Sequence, residues 1–314
     1  MENIYLSVVV PVFNEEENIL AFYEKLVAEC RKLSSHYEII FVDDGSSDNT
    51  LLLLCKLQSE DASLKIIKLS RNHGHQLALS AGIDHAGGAY IITMDADLQH
   101  PPELIPGFLE EARKGFDIVT GVKEYTEKRG IIKDFLATVF YMVLKKITNI
   151  NVEPNASDFR LYSEKALSVI RNMPERERYL RGMAEWIGFK HSKIFFVCPE
   201  RYAGEPKYTF SRLAKLASYG IFSFSGFPVR VSTYLGIGLA LLDGIYALFL
   251  IIAWIMGKSH SLYYPLITIL VLFLFSSLFI SIGLLGEYVL RIYEEVKKRP
   301  LYIIEWKKGF MDIE

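Results

Sequence analysis

Two long apolar stretches near the C-terminal end constrain the fold of this chain more than any other feature. They cover 231–257 and 263–290, and each exceeds the roughly 20 apolar residues with which a helix crosses a hydrocarbon core about 30 Å thick. The charged and histidine side chains between 231 and 290 are Asp243, Lys258, His260 and Glu287. The sequence therefore predicts a hairpin of two transmembrane helices joined by a short loop.

Basic residues flank this hairpin on both sides. Arg212, Lys215 and Arg230 precede it, and Arg291, Lys297, Lys298 and Arg299 follow it. Because basic residues beside membrane spans favour the cytoplasmic side, we expect a multi-pass protein of the inner (cytoplasmic) membrane with both chain ends in the cytoplasm. The expected organisation is a cytoplasmic domain at 1–208, an interfacial amphipathic segment at 209–230, the two spans, and a cytoplasmic tail at 291–314.

The charge and the cysteines exclude some classes of function. The chain has 35 Lys and Arg against 37 Asp and Glu, a formal charge of -2, which gives no support to nucleic-acid binding. Its three cysteines are an odd number, at spacings that match neither a disulfide framework nor a zinc site. We expect them to be reduced, structural thiols.

The first half of the chain alternates short apolar strands with helical patterns. The strands are YLSVVVPVF, EIIFVDDG, KIIKLS and YIITMDAD, and helices are expected after the first strand, from about Ser47 to Glu60, and from Gln76 to His85. Nearly continuous apolar strands between helices indicate a parallel sheet covered on both faces. We predict an α/β domain with an open, Rossmann-like sheet.

Polar side chains follow three of these strands at the point where each strand ends. They are Asn14 and Glu15, Asp43 and Asp44, and Asp95 and Asp97. Ligands of open α/β sheets bind beyond the carboxyl ends of the strands. We therefore expect one crevice lined by carboxylates.

The sequence TMDADLQHPPE suggests a metal site in that crevice. Asp95 and Asp97 point to the same side of an extended chain, and Gln99 continues the alternation. Oxygen ligands of this kind suit Mg²⁺ or Mn²⁺ held between carboxylates and the phosphates of a substrate. The alternative is a pair of solvated carboxylates in a surface turn.

Two loops near the crevice allow either a structural or a binding interpretation. Ser46 follows Asp43 and Asp44 in a strand-to-helix turn, where it could cap the next helix or help to recognise a nucleoside. Arg71 lies in SRNHGHQ, whose histidines lack the further ligands of a zinc site, so we expect loop structure and nucleotide contacts there. No GxxxxGKS loop or GxGxxG fingerprint occurs, which disfavours an NTPase or a dinucleotide enzyme.

Five motifs in order resemble one family. VVVPVFNEEEN, FVDDGSSDNT, LSRNHGHQLALSAG, MDADLQHPPE and ASDFRL are similar to the bacterial polyisoprenyl-phosphate glycosyltransferases of glycosyltransferase family 2, relatives of dolichol-phosphate mannose synthase, of the type that glucosylates O-antigen. The similarity continues through the hairpin to LGEYVLRIYEEVKKRPLYII and so covers nearly the whole chain.

The resemblance implies a nucleotide-sugar-binding domain of the family A glycosyltransferase type and assigns residues to it. Residues implied to contact the nucleotide-sugar are Pro11, Asn14, Glu15, Asp43, Asp44, Ser46, Arg71 and Asp95. Asp97, with Gln99 and Asp95, is implied to bind the metal and to be catalytic. Asp158, in ASDFRL, is implied to lie near the transferred sugar, where relatives are often proposed to have a base.

The role of Asp158 is open to several interpretations. A lipid phosphate is already anionic near neutral pH and needs little activation, so the residue could instead orient the sugar or stabilise an oxocarbenium-like centre. It could also be a helix cap or a partner of Arg160.

The acceptor phosphate needs cations near the membrane. Arg201 and Lys207 match a family loop over the active site, and Lys133 belongs to a second basic group within the amphipathic segment 125–148, which is either interfacial or an ordinary core helix. For Lys133 the alternative is a solvated surface lysine.

The implied reaction is inverting transfer of a hexose, best guessed as glucose from UDP-glucose, to undecaprenyl phosphate at the cytoplasmic membrane face, giving a lipid-linked sugar for envelope glycosylation. N-acetylhexosamine, galactose, mannose and aminoarabinose donors are alternatives. A processive polysaccharide synthase would carry QxxRW where this chain has RGMAEWIGF, and a non-catalytic membrane subunit would have lost the aspartates.

A homo-oligomer packed through Gly236, Gly238 and Gly244 is also expected, and Asp243, in mid-span, is expected to face protein.

Overall fold

The structure is a computed structural model that describes residues 5–33, 36–124, 153, 155–176, 178–198, 227–256 and 263–310. The candidate acceptor residues Lys133, Arg201 and Lys207 lie outside these ranges, as do the segment 125–148 and most of the segment 209–230. The chain divides into two compact units. One is Met1–Phe210 together with Arg299–Glu314, and the other is Ser211–Lys298.

The first unit is built on an eight-stranded mixed sheet. Its strands are β1 (Leu6–Val12), β2 (Tyr37–Asp43), β3 (Leu64–Leu69), β4 (Tyr90–Thr93), β5 (Ile118–Glu124), β6 (Ala156–Ser163), β7 (His191–Val197) and β8 (Ile304–Lys308), in the order β7-β5-β6-β4-β1-β2-β3-β8. The four strands β4, β1, β2 and β3 are mutually parallel, as predicted. β6 runs antiparallel to β4 and β5, and β8 runs antiparallel to β3.

Helices surround this sheet. They are α1 (Ile19–Leu33), α2 (Thr50–Glu60), α3 (His75–His85), α4 (Ile105–Arg113), α5 (Glu164–Asn172) and α6 (Leu180–Trp186), with a short 3₁₀ helix at Pro102–Leu104. Every residue of β1 is buried, which explains its uninterrupted apolar character. The predicted α/β domain is confirmed.

The last strand comes from the predicted tail. The expectation of a simple cytoplasmic tail at 291–314 did not include β8, which pairs with the edge strand β3. Ile304 and Trp306 alternate with the exposed Glu305 and Lys307, and Trp306 packs against the core of the sheet. β8 therefore completes the first unit from the far end of the chain.

The second unit contains two long helices, α7 (Phe227–Ile255) and α8 (Tyr263–Lys297). Both are long and apolar enough to cross a membrane, over Gly236–Ala253 and within Leu266–Lys297. The Ser232 hydroxyl donates a hydrogen bond of 2.6 Å to the Ser281 hydroxyl and so links them. α8 continues to Lys297, beyond the predicted end of the span at residue 290, in a polar final turn where Lys297 pairs with Glu294 at 3.0 Å.

Candidate active site

The carboxylates named from the sequence come from neighbouring strands of the sheet. Asp43 ends β2, and Asp95 and Asp97 follow β4. Asp158 lies near the start of β6, which is antiparallel to β4 and so begins where β4 ends. The Thr93 hydroxyl, in the last residue of β4, donates a hydrogen bond of 2.6 Å to the Asp158 carbonyl.

Asp158 is held in a dense polar cluster. Arg181, in α6, donates two hydrogen bonds of 2.8 Å, from Nε to Oδ1 and from Nη2 to Oδ2. Gln76 donates a third at 3.2 Å. Burial alone raises the pKa of Asp158, but the charge and hydrogen bonds of Arg181, with those of His75, hold it well below its usual range. Asp158 is therefore a stable anion.

The alternative partner for Asp158 is wrong. Arg160 does not pair with it: the Arg160 Nε donates to the carbonyl of Ser157 at 3.1 Å, and both Nη atoms are buried with no hydrogen-bond partner among the described residues. Asp158 also lies within β6 and does not cap a helix.

His75 connects two of the strand ends. Its Nε2 lies 3.4 Å from Oδ1 of Asp95 and 3.4 Å from Oδ2 of Asp158. Partial burial of the ring, whose side chain is 42% exposed, lowers the pKa of His75, but the charge of Asp95 and the hydrogen bond and charge of Asp158 outweigh this effect and raise the pKa to about 9. The imidazolium form is thus favoured at neutral pH and compensates the carboxylates around it.

His100 has the opposite character. It is fully buried, stacks on Phe159 with 5.2 Å between ring centroids, and accepts a hydrogen bond of 2.9 Å from the backbone N–H of Asp95. Burial lowers its pKa to about 4, so the ring is neutral. His100 therefore fixes the backbone that carries Asp95.

Burial alternates along Asp95, Asp97 and Gln99, but the backbone is not the extended chain that was expected, because it bends from Ala96 to Leu98 and Leu98 has a φ of 62°. All three are half-buried, whereas Ala96, Leu98 and His100 between and after them are buried. The Gln99 backbone N–H donates to Oδ1 of Asp97 at 3.1 Å, and Lys123 Nζ donates to Oε1 of Gln99 at 3.2 Å. Within the described ranges no group of three or more His, Cys, Asp or Glu side chains is arranged to hold a metal.

These residues nevertheless fit a hard divalent cation that also binds a substrate phosphate. Asp97 and Gln99 offer a carboxylate and an amide oxygen beyond the end of β4, and oxygen ligands are those that Mg²⁺ and Mn²⁺ prefer. Such cations usually take one or two protein carboxylates and complete their coordination with phosphate and water. The donor set is therefore sufficient without a third acidic side chain.

The two aspartates at the end of β2 organise the neighbouring loops. Both oxygens of Asp44 accept backbone hydrogen bonds, from His73 at 2.7 Å and from Gly74 at 2.9 Å. Asp43 accepts from the Ser46 backbone N–H at 3.3 Å. Burial raises the pKa of each carboxyl, and these hydrogen bonds oppose the shift. Both aspartates are buried, and the structure shows them holding the loops beside the site.

Asn14 and Ser46 link the turns after β1 and β2. The Asn14 backbone N–H donates to the Ser46 hydroxyl at 3.0 Å, and Oδ1 of Asn14 accepts from the Ser47 backbone N–H at 2.8 Å. The helix-cap alternative for Ser46 is wrong, because α2 begins later, at Thr50, and Asn49 precedes it without a side-chain cap. The backbone N–H of Glu15 donates to the Thr50 hydroxyl at 2.8 Å.

Pro11 and Arg71 differ in exposure. Pro11 is buried within β1, whereas Arg71 is exposed and its Nη1 donates a long hydrogen bond of 3.4 Å to the Asn72 carbonyl. The backbone at Arg71 lies directly over Gly45, where an added Cβ would come within 2.8 Å of the Arg71 carbonyl carbon. Gly45 has a φ of 75°, a second reason for glycine there.

Sequence reasoning missed Arg181, Gln76 and the role of His75. Arg181 lies in RGMAEWIGF, where the sequence predicts no site residue. The sequence predicts a loop at His75, yet this residue begins α3 and reaches two aspartates. Their common signal, polar side chains at helix starts facing strand ends, is visible only once the topology is known.

Comparison with known proteins identifies close relatives. The family model described as "Glycosyl transferase family 2" matches residues 7–171. An uncharacterised glycosyltransferase of Synechocystis sp. is 40% identical over 99% of this chain and 98% of its own length. The prophage bactoprenol glucosyl transferase homolog of Escherichia coli K12 is 41% identical over 96% and 98%, and the bactoprenol glucosyl transferase of Shigella phage SfV is 40% identical over 96% and 99%.

Solved structures resemble the chain more remotely. The mannosyltransferase PcManGT from Pyrobaculum calidifontis, in complex with GDP-Man and Mn²⁺, aligns with a TM-score of 0.46 and 15% identity over 94% of this chain and 76% of its own.

Proposed function

Since the chain belongs to glycosyl transferase family 2, we propose that it transfers glucose from UDP-glucose to undecaprenyl phosphate, with inversion at the anomeric carbon. The observation that carries the proposal is the 40–41% identity, over 96% of the chain, with proteins named for bactoprenol glucosyl transfer. The identity extends through the helical hairpin and so includes the part of the chain that reaches the lipid phase. The product would be a lipid-phosphate-linked glucose for cell-envelope glycosylation.

In this proposal the nucleotide-sugar lies against the turns after β1, β2 and β3. Asp43 and Asp44 accept hydrogen bonds from the nucleoside, since each retains acceptor positions beside the backbone groups that it holds. Pro11, Asn14, Glu15 and Ser46 form the floor of this pocket, Arg71 supplies a cation, and Asp95 lies on the diphosphate side. The hydrogen bonds between the turns support a preformed pocket.

Asp97 and Gln99, with Asp95, would hold Mg²⁺ or Mn²⁺ in the proposed enzyme. When bound, such a cation neutralises the charge that develops on the departing nucleoside diphosphate. Lys123 holds the Gln99 side chain and places a positive charge at the same edge. The oxygen-rich donor set supports a hard cation over zinc.

The transfer needs no strong base. An oxygen of the lipid phosphate forms a bond to the anomeric carbon while the bond from that carbon to the diphosphate breaks, and the phosphate is already ionised near neutral pH. We therefore propose that Asp158 orients Arg181 and His75 and stabilises positive charge on the sugar, and does not remove a proton. Its fork with Arg181 and its low pKa support this role.

The acceptor would reach this site from the cytoplasmic face of the membrane. β3 precedes the hairpin and β8 follows it. Because these two strands pair, both ends of the hairpin connect to the first unit. The basic residues beside the spans favour the cytoplasmic side. Arg201, Lys207 and Lys133, all outside the described ranges, are proposed to bind the acceptor phosphate.

We also propose that the enzyme is a homo-oligomer assembled through the hairpin. A Cβ added at Gly236, Gly238 or Gly244 would meet nothing within 4 Å, so the helix surface is open at each of these small residues. Small residues let membrane helices approach closely.

Product formation by the purified protein tests the function. The protein, in detergent, is supplied with undecaprenyl phosphate, Mg²⁺ or Mn²⁺ and one of a panel of radiolabelled nucleotide-sugars. We expect a chloroform-soluble product from UDP-glucose and none after chelation. Transfer only from another donor would replace glucose as the substrate, and no transfer from any donor would contradict the proposal.

Two variants make the test specific. Asp97→Ala should abolish transfer, whereas Glu110→Ala, which removes an exposed carboxylate on α4, should leave it unchanged. Equal loss in both variants would point to general destabilisation. Full activity of Asp97→Ala would exclude Asp97 from the metal site.

A further inference from the structure

The chain segment after the helical hairpin contacts the rest of the first unit on both sides of one loop. The carbonyl of Ile303 accepts a hydrogen bond of 2.9 Å from the backbone N–H of Ser70, directly after β3. The hydroxyl of Tyr302 donates one of 2.8 Å to Asp84, near the end of α3. Segment 299–310 therefore holds both β3 and α3, the two elements that the loop 70–74 connects.

The pairing of β8 with β3 reinforces this arrangement. The register shifts between Lys68 and Leu69, leaving Glu305 as an extra residue on β8. Lys68 Nζ lies 2.8 Å from Glu305 Oε2 at this irregularity. Such bulges bend a strand and change the direction of the chain beyond it. Here the bulge lies beside the end of β3, where the loop 70–74 begins.

The loop 70–74 is part of the candidate active site. Its backbone N–H groups at His73 and Gly74 bind both oxygens of Asp44, and its backbone at Arg71 and Asn72 lies against Gly45. α3, which comes after the loop, begins with His75. A small displacement of β3 or α3 would therefore move the partners of Asp44.

We propose that segment 299–310 positions the nucleotide-binding loop 70–74 by holding β3 and α3 on either side of it. The positioning residue is Tyr302, which acts through Asp84 and α3 and is remote from the reacting atoms. The inference rests on the proposed function, because the loop is a nucleotide site only if the chain binds a nucleotide-sugar. It makes the end of the chain part of donor binding, although the donor motifs lie in the first half.

Tyr302→Phe tests the proposal, with Tyr23→Phe as a matched control. Both tyrosines are half-buried and donate one hydrogen bond to an aspartate, Tyr302 to Asp84 at 2.8 Å and Tyr23 to Asp61 at 2.7 Å. Tyr23 lies in α1 and its partner comes directly after α2, so the control loses a similar bond outside the loop. The full-length protein is used throughout.

We expect Tyr302→Phe to raise the KM for the nucleotide-sugar about threefold to tenfold, the range that one such hydrogen bond supports. kcat should stay within about twofold, because a loss of uniform binding raises KM alone. The KM for the lipid phosphate should not change. Tyr23→Phe should have the same melting temperature as Tyr302→Phe and wild-type KM values.

A second variant locates the effect. Asp84→Ala should raise the donor KM by the same factor, and the double variant should be no worse than either single one, since both remove one contact. Equal donor KM values for Tyr302→Phe and Tyr23→Phe would overturn the proposal. So would a fall in kcat at unchanged KM.

Hydrogen exchange separates this inference from the proposed function. Peptides covering 70–74 should exchange faster in Tyr302→Phe than in Tyr23→Phe, whether or not a nucleotide binds. If the wild-type protein neither binds UDP nor transfers sugar, the proposed function fails while the exchange result still decides whether the loop is held. Unchanged exchange in both variants would overturn the positioning role by itself.

Discussion

Arg181 and Asp158 form a forked ion pair in which Nε and Nη2 of the guanidinium donate to Oδ1 and Oδ2 of the carboxylate, each at 2.8 Å. His75 Nε2 lies 3.4 Å from Oδ2 of the same carboxylate. Asp158 thus faces positive charge from two elements, α6 and α3. A carboxylate held in this way is suited to orienting cations and is a poor proton acceptor.

Removing Arg181 should strongly destabilise the first unit, which contains the sheet. The Asp158 side chain is only 7% exposed, and breaking a buried pair from one side typically costs about 3–5 kcal/mol. We expect Arg181→Ala to lower the free energy of unfolding by that amount at pH 7, as measured by chemical denaturation. Arg113→Ala, which removes an exposed arginine bonded to Tyr5, should cost less than about 1 kcal/mol; equal losses would contradict the importance of the fork.

The pH dependence of the reaction tests whether Asp158 is a base. Because its pKa in the folded protein is depressed, its contribution to stability is present above the pKa of an unfolded aspartate, about 3.9, and is lost only as the pH falls through the lower folded value. Asp158 therefore stays ionised from pH 5 to 8. We expect the wild-type kcat/KM profile to show no acid limb over this range that is lost in Asp158→Asn, the variant being slower throughout. Because Asp158 raises the pKa of His75, the variant should at most gain an alkaline limb from His75. An acid limb that disappears in Asp158→Asn would restore the role of base.

Much of the fold could be predicted because its determinants are local. β1 to β4 are nearly continuous apolar runs, and the polar residues that end them are adjacent in the sequence. The metal-binding candidates Asp95, Asp97 and Gln99 also come from a local pattern, and they stay a prediction.

The rest depends on contacts between distant segments. Arg181 meets Asp158 only because α6 packs beside β6, and β8 exists only because β3 presents an open edge to the end of the chain. α2 starts at Thr50 and not near Ser47, because Ser46 and Asp48 are engaged by the turn after β1. No pattern within one segment contains this information.

Gly45→Ala should disrupt the loop 70–74. A Cβ at Gly45 would lie 2.8 Å from the Arg71 carbonyl carbon, and the φ of 75° is itself unfavourable for alanine. The backbone conformation costs about 1–2 kcal/mol and the overpacking a further 1–3 kcal/mol or so. We expect a matching loss in the free energy of unfolding, measured by denaturation, and weaker UDP binding, measured by calorimetry.

Gly115→Ala provides the control for that variant. Gly115 also has a positive φ, of 92°, but a Cβ there would meet nothing within 4 Å. In this variant the free energy of unfolding should fall only by the amount that the positive φ costs alanine, and UDP binding should be normal. If both variants lost the same stability, the close approach of the loop to Gly45 would have no energetic importance.

Asp43→Asn should stabilise the protein while weakening donor binding. Burial raises the pKa of Asp43, so the ionised form is disfavoured in the folded state. Stability associated with this group is complete below the unfolded pKa and is lost as the pH rises through the raised folded value. At pH 7 we expect the free energy of unfolding of the variant to be higher by on the order of 0.5–2 kcal/mol, the size of gain that single stabilising substitutions commonly give. The variant should bind UDP more weakly.

The gain in Asp43→Asn should shrink on acidification, since both proteins are then uncharged at this position. Denaturation at pH 7 and at pH 4 measures the difference directly. A gain that does not change with pH would mean that ionisation of Asp43 is not its source.

The position of β8 predicts where the end of the chain lies. β8 can pair with β3 only if the residues before and after the hairpin are on one side of the membrane, so the number of crossings is even. With basic residues next to both helices, that side should be the cytoplasm. A green fluorescent protein fused after Glu314 should fluoresce, and alkaline phosphatase fused there should be inactive; the reverse result would place the end of the chain outside the cytoplasm, and with it the sheet if β8 is paired.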